Sequence, residues 1–250
     1  MKFILLFLTT FVFVCQAFTQ NRGVIHYTSS TDWVKMQTNY KYISDADKER
    51  TNYVYGNAKW KEWTSKATLK FSENATLWEI IPDEEDEREW SSRKKEYYKY
   101  RDLEANLMLN IENVLGKDYA IEDSISCINW KIRNDLKEIA GHICMNAYYY
   151  DTLREKEIVA WFALDMPLSI GPVDYCGLPG VILEVNENNG SIIYTATLIV
   201  AAEEDLKITK PTYNPKKRKV ITLSEKFDME SKEILNAKKM KRPYWWNVNY

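Results

Sequence analysis

The chain opens with Met1-Lys2-Phe3 and an apolar run that ends near Ala17. From Gly23 to about Val200 the pattern changes to short segments in which apolar and polar residues alternate. A period of two buries one face of a segment and wets the other, as in an antiparallel strand. Such segments are Val24–Thr28, Ala67–Phe71, Ala75–Ile81, Tyr97–Arg101, Asn106–Ile111, Ile125–Ile132, Ile139–Tyr150, Glu157–Leu164, Val181–Val185 and Ser191–Val200. Ser72-Glu73-Asn74 reads as a hairpin turn, and Asn188-Asn189-Gly190 as a tight turn, because Asn and Gly tolerate positive φ. About ten strands at this spacing predict a mainly β fold (β-rich α+β), built on a single curled or partly closed antiparallel sheet. One clear helix follows near the C-terminus. Thr222 and Glu225 form a capping box, Leu223, Phe227, Ile234 and Leu235 recur at helical spacing, and Lys238-Lys239 suits a helix C-terminus. A fainter helical pattern covers Ser44–Tyr55.

Composition sharpens this picture. Aromatic residues make up 14% of the 250, with nine Trp and seventeen Tyr, and such wide side chains pack well across strands. Hydrophobic residues at 45% and charged residues at 28% exclude wholesale disorder. A formal charge of −2 argues against a dedicated nucleic-acid binder. The charge runs at Asp83–Glu89, Arg93-Lys94-Lys95 and Lys216–Lys219 read as solvated loops. With no repeat and no linker, residues 20–250 are expected to form one domain.

The first nineteen residues carry the marks of a signal peptide: a positive start, a short hydrophobic stretch and small residues before a polar one. Cleavage after Ala17 or after Thr19 fits, and the second is preferred. The run is shorter than the ~20 residues that span a bilayer, and Cys15 lacks the small residues of a lipidation site. An exported protein, periplasmic or outer-membrane-associated, is therefore expected. Cys127, Cys144 and Cys176 remain, enough for one disulfide in an oxidising compartment. Three pairings are open; Cys127–Cys144 is favoured because these residues fall on what read as neighbouring strands, and buried free thiols are the alternative.

Residues 160–186 are the most distinctive stretch. A strand end at Ala160-Trp161-Phe162 leads into Gly171-Pro172 and Gly177-Leu178-Pro179-Gly180, two tight turns that hold Leu178 as an apolar plug before the next strand. This tract closely resembles the GLPGLI family of exported Bacteroidetes proteins, with Val181 where the family name has Leu. Trp161, Gly171 and Pro172 also fit the family pattern. So does the segment from Trp130-Lys131 to Lys137-Glu138-Ile139-Ala140-Gly141-His142-Ile143-Cys144-Met145-Asn146-Ala147, in which His142 replaces an aromatic residue and Asn146 a Lys. The resemblance implies an address and an architecture. It implies no mechanism, and the motif residues are read as structural or binding.

Catalytic chemistry is poorly supported. Only two histidines, His26 and His142, are present, on separate strands, and no familiar hydrolase, zincin or phosphate-loop motif occurs. No catalytic residue, metal or cofactor is expected. His142 with Cys144 and Met145 is the arrangement closest to a metal site, and needs a third ligand such as Cys127 or His26. Asp165 and Glu184 are candidate polar groups of a pocket. Trp130, Trp161 and Phe162 either line an apolar cavity or fill the core. Pro243-Tyr244-Trp245-Trp246 either docks on its own domain or binds a partner. The expected function is non-enzymatic binding of a protein partner or apolar ligand at the outer membrane. A metal-binding or chaperone-like role through His142 and Cys144 is the alternative, and an unrecognised hydrolase the remaining one.

Overall fold

Twelve strands hydrogen-bond into one sheet in the computed structural model, which describes residues 21–82, 97–202 and 206–244. The expected signal peptide, the charge runs at 83–89 and 93–95, and Trp245-Trp246 lie outside the described residues. The strands are β1 (Gly23–Asp32), β2 (Glu62–Phe71), β3 (Ala75–Ile81), β4 (Tyr98–Asp102), β5 (Leu107–Val114), β6 (Lys117–Ser124), β7 (Lys131–Ile139), β8 (His142–Asp151), β9 (Lys156–Ala163), β10 (Val181–Glu187), β11 (Ile192–Ala201) and β12 (Lys219–Ile221). Their spatial order is β12-β6-β5-β4-β3-β2-β1-β11-β10-β9-β8-β7. Every neighbouring pair is antiparallel except β12 and β6, so the sheet is mixed and open rather than purely antiparallel. β7 folds back into contact with β11, which curls that half of the sheet. Among the described residues no helix is long and apolar enough to cross a membrane.

Local chemistry accounts for most of the turns. Ser72 Oγ accepts from the Ala75 amide at 3.1 Å and closes the β2–β3 hairpin. Asn188, Asn189 and Gly190 adopt φ of 48°, 55° and 81° between β10 and β11. Two segments depart from expectation. β6 follows a two-residue turn at Leu115-Gly116, where Leu115 adopts φ 51°. Leucine is an unusual residue for that conformation, so the turn carries no sequence signal. Ile125–Ile132 is not a single strand: 125–130 runs outside the ladder and pairing restarts at Lys131. A disulfide at Cys127 and a hydrogen bond from Trp130 Nε1 to the Cys176 carbonyl, 2.8 Å, draw this segment toward the β9–β10 loop instead.

One face of the sheet holds much of the main core. Ile25, Tyr27, Leu69, Phe71, Trp78, Phe162, Ile182 and Val185 are buried together. The Tyr27 hydroxyl donates to the Ile182 carbonyl at 2.6 Å, and the Trp78 ring lies 5.3 Å from Tyr27 and 6.1 Å from Tyr194. Three helices decorate this sheet: α1 (Trp33–Thr38), α2 (Asp45–Tyr55) and α3 (Leu223–Lys239). α3 starts at the expected capping box, with Thr222 N donating to Glu225 Oε2 at 2.9 Å and Glu225 N to Thr222 Oγ1 at 3.2 Å. Its buried face is Glu230, Ile234 and Ala237, whereas Phe227 and Leu235 are exposed. The apolar stripe read from sequence is therefore only partly the buried face, because α3 crosses charged floor before it reaches apolar ground. Ile234 and Ala237 pack with Tyr40, Ile43 and Tyr244, so the described start of the C-terminal tail docks on its own domain.

Replacing the fully buried Ile234 with Ala should cost about 2–4 kcal/mol, while Phe227→Ala should stay within about 0.5 kcal/mol. Urea denaturation of the two variants beside the parent measures the difference.

Candidate functional site

The β9–β10 connection, residues 164–180, is fastened from several directions. Val181 N donates to the Met166 carbonyl at 2.9 Å, Ile182 N to the Ile170 carbonyl at 2.8 Å, and Gly177 N to Ser169 Oγ at 2.9 Å. Leu178 is buried in the main core. Gly177 adopts φ +103°, and a Cβ there would lie 2.5 Å from the Ile128 carbonyl oxygen. At Gly180 a Cβ would fall 2.0 Å from the Ala163 carbonyl oxygen. Both clashes are with backbone, so the glycines allow the loop to lie flat on the sheet. Gly171, Pro172 and Pro179 belong to the same packed turn system, and the Tyr175 amide donates to the Pro172 carbonyl at 3.0 Å.

The disulfide joins Cys127 to Cys176, with a Cα separation of 5.0 Å, and corrects the expected Cys127–Cys144 pair. Cys127 lies outside the ladder, opposite the loop, while Cys144 is buried in β8 as a free thiol. Burial, with Asp165 as the next cause, pushes that thiol up to about 11, so it stays protonated at neutral pH. His142 Nδ1 lies 2.7 Å from Asp165 Oδ2. Among the described residues no group of three or more His, Cys, Asp or Glu side chains is placed to hold a metal ion.

The same loop delivers Asp174 into a cluster of charges that sequence reading missed. Lys99 and Arg101 on β4, and Asn110 and Glu112 on β5, share the face of Trp78, because alternate residues of one strand and their cross-strand partners point the same way. Asp174 receives Lys99 Nζ at 2.8 Å, Asn110 Nδ2 at 3.0 Å and Arg101 Nη2 at 3.3 Å. Lys99 also binds Glu112 at 2.8 Å, and Glu112 binds Lys226 of α3 at 2.7 Å. The chain of charges runs on through Glu230, 2.7 Å from Arg154, to Asp151, 2.8 Å from the same guanidinium. Burial pushes the Asp174 carboxyl up, but Lys99, Arg101 and Lys226 outweigh it and hold it well below the ordinary carboxylate range. Glu112 is likewise lowered, with Lys99 and Lys226 overcoming burial. Lys99 is raised, because Asp174 and Glu112 overcome its burial. Val173 adopts φ 55°, costly for a β-branched residue, so the turn that presents Asp174 is held by its surroundings. The Asp174 side chain remains 39% exposed, against 1% for Lys99 and 0% for Glu112, so the cluster meets solvent at that carboxylate.

The aromatic residues read as a cavity lining lie at the main core. Phe162 is fully buried in that core, and Trp130 and Trp161 are partly buried against the cluster. Lys137 Nζ sits 4.5 Å from the centre of the Trp161 ring and bonds Glu184 at 2.6 Å. A cavity near Trp78, Tyr97 and Tyr194 measures about 20 Å³, close to the smallest volume that admits one water.

The uncovered surface lies at the β7–β8 rim. β7 pairs only with β8, and its residues 131–136 are all exposed. Ile132 pairs with Ala147 and Leu136 with Met145, while Ile143 stands two residues from Met145, so the three aliphatic side chains share one face. They are 53%, 63% and 60% exposed, unusual for three aliphatic neighbours. A bulge at 133–135 and the charges of Lys131, Arg133 and Asp135 guard the first half of this edge.

Residues 149–184, from the end of β8 into β10, match the model of a family described as a protein of unknown function (Porph_ging). That match takes in Trp161, Asp174 and the whole Gly177–Gly180 tract. No curated protein matches the chain. Among solved structures, PNGF-II in a C2 space group is similar at 13% identity over 83% of this chain and 32% of that one, with a TM-score of 0.48. PNGF-II in a P21 space group is similar at 12% identity over 84% and 33%, with a TM-score of 0.49. The chain spans about a third of the length of those structures.

Lys99→Met should destabilise the protein by about 3–5 kcal/mol, because it strands Glu112 and Asp174 with too little positive charge. Acid should act on the same cluster. Asp174 and Glu112 are lowered in the folded state, so their stabilisation is present above the unfolded carboxylate value of roughly 4 and is lost as pH falls through the folded values. Melting temperature measured from pH 7 to pH 2 should therefore drop below about pH 4, and drop less in Lys99→Met.

Proposed function

We propose that the chain is an exported, non-enzymatic binding protein of GLPGLI type, and that it holds a protein partner at the β7–β8 rim, in the periplasm or at the outer membrane. The observation that carries this reading is the joint exposure of Ile132, Leu136 and Ile143 beside a strand that, among the described residues, hydrogen-bonds to β8 alone. Beyond the bulge, Leu136–Ile139 runs in regular register with β8, so its outer edge offers amide and carbonyl groups to an added strand. Alternate apolar side chains on that strand would cover Leu136 and Ile143, which gives the partner its chemistry: an extended segment with one apolar face. Two further observations support the reading. Among the described residues the cavity beside Trp78, Tyr97 and Tyr194 holds only about 20 Å³, and a disulfide suits an oxidising compartment. The carboxylates of Asp174 and Glu112 are each paired with basic side chains, which accounts for their burial structurally.

The test is native mass spectrometry of the protein purified from its own cell envelope, beside Leu136→Lys and Ile143→Lys. Both positions are exposed, so both variants should melt as the parent does. A protein subunit that accompanies the parent and leaves with either substitution is the expected result. A bare chain, a bound apolar molecule released by denaturation, or a subunit indifferent to both substitutions would overturn the proposal.

A further inference from the structure

A second surface, sharing no residue with the rim, lies under α2. It is a cleft of about 400 Å³, at the small end of the ~300–1,000 Å³ common for ligand sites. Its walls include Asn39 and Lys41 from the α1–α2 connection, Lys48 and Asn52 from α2, and Asn188 and Asn189 from the β10–β11 turn. Lys48 and Asn52 stand four residues apart and so share a helix face.

α2 itself is unusual, because none of its residues is buried. Surface helices in folded proteins are ordinarily held by an apolar stripe. Here the anchors sit at the ends. Ser44 caps the N-terminus by accepting from the Asp47 amide at 3.2 Å. At the other end Tyr55 packs against Trp33 and Trp60, ring centres 5.0 and 5.7 Å away. The middle of the helix adds nothing to the core and instead forms a wall of the cleft.

The opposite wall contains an unmet hydrogen-bond donor. Asn188 is 8% exposed, and its carbonyl accepts from Asn39 Nδ2 at 2.7 Å and from Ser191 Oγ at 3.0 Å. Its own side-chain Nδ2 has no partner among the described residues. A buried donor left unmade is costly, so this amide is one that an oxygen acceptor would satisfy. Lys41 and Lys48 add two more donors, both cationic. Among the described residues Lys41 lies 5.8 Å from the Tyr150 ring and has no carboxylate partner, and Lys48 keeps a loose pair with the exposed Asp45 at 3.7 Å. Three donors, two of them charged, ask for an anionic oxygen. Asn52 and Asn189 each offer a donor and an acceptor together, the complement of neighbouring hydroxyl groups.

We infer that the cleft between α2 and the β10–β11 turn binds a small hydroxyl-rich carboxylate, a sugar acid, through Lys41, Lys48 and the Asn188 amide. Glucuronate, glucose and acetate separate the parts of this claim in calorimetric titrations of the full chain. Glucuronate should bind saturably, and glucose and acetate each at least about tenfold more weakly. The double variant Lys41→Ala/Lys48→Ala, altered only at the surface, should weaken glucuronate by about tenfold or more. Asn188→Asp keeps a residue that tolerates positive φ but turns the donor into an acceptor, and should abolish binding. Thermal melts confirm that each variant is folded. Absence of saturable glucuronate binding, equal binding of glucose or acetate, or unchanged affinity in the lysine double variant would each overturn the inference.

Discussion

The Asp174 carboxylate, gripped by Lys99, Arg101 and Asn110, is the contact on which the core-bearing side of β4 and β5 is organised. An apolar floor would have accepted the β9–β10 loop in many positions. A floor with two fixed cations and an amide accepts it in one, where Asp174 meets all three. Charge pairs this deep are not the cheapest way to stabilise a core, and well-packed apolar residues often do as well or better. Their effect here is positional. Once Asp174 is seated, Lys99 is shared with Glu112, and Glu112 takes Lys226, so α3 is registered on the same floor. The chain of pairs then passes through Glu230 to Arg154 in the β8–β9 turn. One carboxylate thereby connects β4, β5, the loop, the helix and the curled half of the sheet.

Other features of the loop follow from that seat. Gly177 and Gly180 remove the Cβ atoms that would lift it from Ile128 and Ala163. The Cys127–Cys176 bond and the Trp130 hydrogen bond to Cys176 fasten it from the other side, and they take residues 125–130 out of the ladder to do so. Leu178 then enters the core between the two fastenings. Polar and apolar restraints act on alternate residues of one short segment, which is why the segment is so dense in Gly, Pro and Cys.

Periodicity in the sequence was informative wherever one face of an element is wet and the other dry. That condition holds for β1, β2, β9 and β11, for the β2–β3 hairpin and for the Asn-Asn-Gly turn, all of which were legible. The helix α2 was legible too, and so was the capping box of α3. Periodicity misled where the buried face is polar. Nothing in the sequence marks Lys99, Arg101 and Glu112 as buried, because single charges are usually solvated, and only their partners, Asp174 and Lys226 among them, make burial tolerable. Glu230 conceals the true face of α3 for the same reason. β6 was missed because Leu115-Gly116 turns without a turn residue at its first position, and β12 because a three-residue parallel strand has no pattern long enough to see. The disulfide was misassigned because Cys127 was placed on a strand that the loop had already claimed.

The two candidate surfaces differ in what the fold has left undone. At the β7–β8 rim the unmet need is apolar: three aliphatic side chains continue the hydrophobic face beyond the point where the chain can cover it. Burial there is additive and weakly directional, so a partner is chosen by shape and by strand register. Under α2 the need is polar: a buried amide and two ammonium groups face a small space, and directional bonds would select the ligand. Both surfaces lie away from the Asp174 cluster, whose charges are already answered. The buried charges hold elements of the fold in register, and the two surfaces proposed for binding lie instead at an edge strand and at a helix none of whose residues is buried.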